Sequence, residues 1–176
     1  MKSRALLSLA ALAIASSAPA QDIVTPEAWL VDALETLCYK PFGDVTNVDT
    51  AIASFKAKTE FKKLEHTPGS VQAGTTWEAP KASLNYTDAA WLPRDLPSPQ
   101  CTLTSDVGKE FSHAAAVAIV ERRLPVGRGK TRGKGSRWKT EWNFVSSDRA
   151  KRRLFLSSGP AGNGIQATAS LLNIRN

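Results

Sequence analysis

The sequence predicts one small α+β domain: an antiparallel sheet of about five strands, three helices packed on one face of it, and one disulfide bond. Three observations carry that expectation. Apolar residues recur at helical spacing in the first third of the chain and again near its middle. After Arg137 the period becomes two, in three alternating segments joined by short polar turns. The chain has only two cysteines, Cys38 and Cys101, so a disulfide has one possible connectivity.

The chain opens Met1-Lys2-Ser3-Arg4, runs through apolar residues from Ala5 to Ala15 and reaches Ala18-Pro19-Ala20. A short basic start, an apolar run too short to span a bilayer and an A-x-A site together describe a secretory signal peptide over residues 1–20. Gln21 rather than a cysteine follows the expected cut, so lipid attachment is not indicated. Residues 21–176 then form a single domain large enough for its own core. No apolar stretch in the mature chain is long enough to span a membrane, and a soluble periplasmic or secreted product is expected. In an oxidising compartment Cys38 and Cys101 are expected to be joined.

The first helix has clear start signals: Thr25 as N-cap, Pro26 at the first helical position, and Glu27 where the positive end of the helix dipole favours an acid. Trp29, Ala33 and Leu37 lie beside Leu30, Leu34 and Cys38 on one apolar face, which carries Cys38 into the core before Pro41 closes the helix. A second helix is expected from about Asn47 to Lys58, with Val48, Ala51, Ile52 and Phe55 inward and Lys56, Lys58, Lys62 and Lys63 on or near a solvated flank. Trp77 and the run Ala82 to Thr87 predict two short strands separated by Pro80. Prolines 93, 97 and 99 make an extended connection to a strand at Cys101–Ser105.

From Phe111 to Val120 scarcely a polar side chain interrupts the run. A helix covered on most sides, with the other elements packed around it, is expected there, and Pro125 ends it. Further on, Trp138, Thr140, Trp142 and Phe144 alternate with Lys139, Glu141 and Asn143, and Leu154 and Leu156 with Arg153 and Phe155. Ile165 to Ile174 completes an antiparallel meander. The layout of leader, early helix ending in cysteine, and second cysteine on a strand resembles that of small exported bacterial proteins. No single motif carries the resemblance, and it implies no activity or site residue.

Charge is the strongest functional signal. The formal net charge is +7, or +5 without Lys2 and Arg4. Between Arg122 and Arg153 twelve Lys or Arg stand against Glu141 and Asp148, a local balance of +10, which leaves −5 for the rest of the mature chain. The stretch Gly127–Arg137 holds four glycines and five basic side chains, so residues 126–137 read as a flexible basic loop. Gly129-Lys130-Thr131 ends like a phosphate-binding loop, but position 124 is Leu where that pattern needs glycine, and the helix precedes rather than follows.

No Gly-x-Ser-x-Gly elbow occurs, and the neighbours Ser112 and His113 point to different sides of a helix. Glu110 and His113 have the Glu-x-x-His spacing of metal ligands, yet the only other histidine is His66, beside Glu65. No catalytic residue, metal ligand or cofactor is therefore nominated. The expected binding residues are Arg128, Lys130, Arg132, Lys134, Arg137 and Lys139, which can neutralise an anionic partner: an envelope polymer or lipid, a nucleic acid or an acidic protein. Trp138 and Trp142 could stack bases, but they share a strand face with Phe144, and core is their expected role. Two other classes fit the same chain: a protein-interaction or inhibitor module using the helix and sheet surface, and a hydrolase whose residues come from several elements.

Overall fold

The structure is a computed structural model that describes residues 24–55, 59–64, 74–87 and 99–174. The expected signal peptide, the Glu65-His66 pair, Lys56, Lys58 and the first two prolines before Cys101 lie outside the described residues.

Thr25 caps helix α1 (Pro26–Ala33), its hydroxyl accepting from the Ala28 N–H at 3.2 Å. The helix runs on as wider π-helical turns over Leu34–Tyr39. Helix α2 spans Val45–Phe55, and helix α3 spans His113–Arg123 with Ser112 as its N-cap. Eight strands form one antiparallel sheet: β1 (Lys62–Lys63), β2 (Thr75–Ala79), β3 (Ala82–Thr87), β4 (Gln100–Asp106), β5 (Lys130–Lys134), β6 (Arg137–Val145), β7 (Lys151–Ala161) and β8 (Gly164–Asn173). Their order is β1-β2-β3-β4-β8-β7-β6-β5, two meanders joined where β4 pairs with β8, with α3 connecting them in sequence.

The α+β class, the three helices and the disulfide are as expected, whereas the sheet has eight strands and not about five. Two of the additional strands carry no apolar alternation. Strand β1 is two residues long and exists through its pairing with Glu78 and Trp77, and β5 is written in Lys, Thr, Arg and Gly.

Register sorts the sheet into two unlike faces. On one, Tyr86, Cys101, Leu171, Leu154 and Trp142 form a row across five strands, and Leu84, Leu103, Ala169, Leu156 and Thr140 form the next. The first helix and its π-helical extension lie over these rows and bury Leu30, Val31, Leu34 and Leu37 completely or nearly so. Each such side chain contributes about 2 kcal/mol of transfer free energy. The π-helical turns pack against β4 and β8. There Cys38 meets Cys101, with their Cα atoms 5.6 Å apart.

Helix α3 departs from expectation. It buries only His113, Ala116 and Val120, and Ala114, Ala115 and Ala118 are exposed. Most of its apolar positions are alanine, whose single methyl gains little by leaving water. The central place goes instead to the leucine-rich first helix, and α3 lies along its flank. Glu27 accepts from the Ser112 N–H at 2.6 Å, and Arg123 bridges Asp32 at 2.9 Å and Glu35 at 2.6 Å, which fixes the two helices side by side.

Candidate anion-binding face

The opposite face of the sheet carries no helix among the described residues. Its outer end is the β5–β6 hairpin, where Lys130 pairs with Glu141, Thr131 with Thr140, Arg132 with Lys139, Gly133 with Trp138 and Lys134 with Arg137. Side chains alternate along a strand. Thr131, Gly133, Trp138 and Thr140 therefore face the helices, and Lys130, Arg132, Lys134, Arg137 and Lys139 share the helix-free side. Arg128 lies just before the strand and is exposed.

The segment expected as a loop at 126–137 thus contains an edge strand. Its glycines supply space rather than slack. A Cβ on Gly129 would stand 2.6 Å from the Trp142 ring and 2.5 Å from the Thr140 methyl; one on Gly133 would stand 2.5 Å from the Trp138 ring. The two indoles lie over β5 where a side chain would otherwise be. Gly135 takes φ 60° at the first of the two turn positions, a conformation suited to a two-residue hairpin. Glu121 of α3 ties the strand down, accepting from the Gly129 N–H at 2.8 Å and from the Trp142 indole N–H at 3.3 Å.

Electrostatics on this face are unbalanced. Arg132 stands directly opposite Lys139, and Lys134 opposite Arg137. Like charges so placed oppose strand pairing. Among the described residues none of Arg128, Lys130, Arg132, Lys134, Arg137 or Lys139 forms an ion pair. The acid nearest in register, Glu141, is bridged by Arg153 at 3.2 Å, and Lys139 rests its ammonium 4.0 Å from the centre of the Phe155 ring. Beside the hairpin a shallow hollow of about 390 Å³ gathers Arg132, Arg137, Trp138 and Lys139 with Ser157, Gln166 and Thr168. Such a set offers charge from one wall and hydrogen-bonding groups from the other.

Sequence reasoning identified the cations and missed the hydroxyls. Thr102 and Thr104 on β4 and Thr168 and Ser170 on β8 do alternate with buried residues, so a period-two count of short polar side chains would have marked them. Trp142 is fully buried, as its expected core role requires, whereas Trp138 remains 39% exposed at the rim and stacks on His113.

His113 belongs to the core. Its Nδ1 lies 2.9 Å from the Ser158 hydroxyl and its Nε2 2.9 Å from that of Thr140, which in turn meets Thr131 at 2.8 Å. Both ring nitrogens are thereby occupied. Glu110 is exposed on the surface, and among the described residues no group of three or more His, Cys, Asp or Glu is placed to hold a metal ion.

Burial lowers the His113 pKa below the ordinary histidine value of 6.5, because the charged ring would have to leave water. The unfolded chain therefore takes up this proton first. Stability from the neutral ring is complete above the unfolded value and declines as pH falls through it toward the depressed folded value. Denaturant titrations at roughly pH 7.5 and pH 5.5 should show a loss in the wild type that is smaller in a His113→Gln variant; equal losses would contradict this role.

A larger hollow of about 900 Å³ lies between the start of α1 and the β2–β3 and β7–β8 turns. It includes Glu60, Lys81, Asp106 and Lys109, but neither histidine nor cysteine. The Asp106 carboxylate there accepts from the Gly108 N–H at 3.2 Å.

No protein-family model, curated protein or solved structure matches this chain.

Proposed function

We propose that the protein is an exported, non-catalytic binding protein that holds an anionic partner on its β5–β6 hairpin. The observation that carries this reading is the alignment of Lys130, Arg132, Lys134, Arg137 and Lys139 on one face that, among the described residues, carries no helix and on which none of the five is ion-paired, with two pairs directly opposed. Placing like charges opposite one another costs folding free energy, and an anion that bridges both strands offsets it. Export is supported by the leader-like start of the sequence and by the Cys38–Cys101 disulfide, which is consistent with an oxidising compartment. No helix among the described residues is long and apolar enough to cross a membrane.

The test is retention on an anionic matrix before and after Arg128, Lys130, Arg132, Lys134 and Arg137 are all replaced by Gln. If each exposed contact contributes about 0.4 kcal/mol, the five together account for about 2 kcal/mol, roughly a thirtyfold loss of affinity. Wild-type retention should also weaken as salt is raised. Unchanged retention in the variant would end the proposal.

A second reading has its own observation, the position of β5 at the sheet edge. Lysine and arginine on an edge strand deter pairing with another sheet. On that reading the glutamine variant self-associates in sedimentation while its retention stays at the wild-type level.

A further inference from the structure

The helix-free face does not end at the hairpin. In register with Arg132 and Lys139, the row continues inward through Ser157, Thr168, Thr104 and Ser83, and the row beside it contains Ser170 and Thr102. Neighbouring strands are about 4.8 Å apart, so hydroxyls recur at that interval across four strands, starting from the cationic hollow. Thr102 and Ser170 lie 3.1 Å apart and Thr104 and Thr168 3.3 Å apart, each pair sharing one proton and keeping further donor and acceptor capacity. All six are half-buried, and no helix among the described residues covers them.

We infer that the partner of this face is an anionic polysaccharide, its acid groups held in the Arg132, Arg137 and Lys139 hollow and its sugar hydroxyls laid across the serine and threonine rows. This rests on the reading of the hairpin as an anion site and specifies its ligand. A hydroxyl both donates and accepts, so an array of hydroxyls is matched by a ligand whose own surface consists of hydroxyls. The face suits a nucleic acid less well, because base stacking needs free aromatic rings. The Phe155 ring has Lys139 at 4.0 Å and Arg153 at 5.8 Å, and Trp138, which reaches the rim of the hollow, is already stacked on His113. An acidic peptide would satisfy the cations but offer the hydroxyl rows only its backbone amides, fewer groups per unit length than a sugar chain presents.

The experiment compares polygalacturonate, which carries both carboxylates and sugar hydroxyls, with polyglutamate, which carries carboxylates and peptide groups but no hydroxyl, using the whole chain. Wild type should bind polygalacturonate more tightly. In the double variant Thr104→Val/Thr168→Val, which keeps β-branched side chains on both strands, polygalacturonate affinity should fall about tenfold, the size of one or two lost hydrogen bonds. Polyglutamate binding should be unchanged, which also reports that the variant is folded. Equal wild-type affinity for the two polymers, or a double variant that binds polygalacturonate as wild type does, overturns the polysaccharide assignment and leaves the hairpin reading standing. Failure to bind either polymer overturns both.

Discussion

Replacing Cys38 and Cys101 together by alanine should lower the free energy of unfolding by about 4 kcal/mol. The bridge closes a chain separation of 63 residues, and both cysteines are fully buried. Without it the unfolded chain gains the conformations that the closed loop excludes, and the logarithmic dependence on loop length sets the size of the effect. In the folded state the bridge joins the π-helical end of the first helix to β4, the strand on which the two meanders meet. Domains of this size are stable by roughly 5–15 kcal/mol, so the variant loses a substantial part of its margin. Urea unfolding of oxidised wild type beside the double variant measures the difference, and a change under about 1 kcal/mol would show that the bridge holds nothing the packing does not already hold.

Truncating Trp142 to alanine should cost a similar amount, about 3–5 kcal/mol, and should in addition weaken anion binding although no charge is altered. Trp142 is fully buried on the helix face of β6. Its indole N–H donates to Glu121, the same carboxylate that receives the Gly129 N–H, and its ring occupies the space above Gly129. Without the ring, the start of β5 loses its cover at Gly129 and part of its tether, and the cations of the hairpin lose their common plane. Trp142→Phe retains most of the cover and gives up only the indole hydrogen bond, so it should recover most of the stability and retention. Denaturant midpoints measure the first effect. Retention on the anionic matrix measures the second, hydrogen exchange of the β5 amides reports the tether itself, and unchanged protection in Trp142→Ala would contradict the tethering role.

The elements most readable in the sequence were those whose burial is one-sided. The capped first helix, the strand Ala82–Thr87 and the meander from Arg137 onward all show a clean division of apolar from polar positions. Strand β5 was hidden because it buries nothing of its own. Every one of its residues is exposed, and it is held by backbone pairing to β6 and by rings that belong to β6. Composition read it as a loop, since Gly beside Lys and Arg carries the same signature whether the glycine supplies freedom or room. The π-helical turns were equally invisible, because Leu34–Tyr39 continues the apolar face of α1 without a break. As for the candidate site, the six cations were legible as a cluster, but not the fact that five of them face one way.

By itself the sequence determined which residues could be buried, that two cysteines had one another as their only partner, and that positive charge gathers between Arg122 and Arg153. These are properties of composition and of short-range period, and they survive any arrangement of the elements. The tertiary structure decided which helix occupies the centre, how the glycines of β5 are used, and that the cations share a helix-free face with rows of serine and threonine. Those outcomes depend on cross-strand register between residues far apart in the chain, and register is set by the summed packing of the whole sheet rather than by any segment alone.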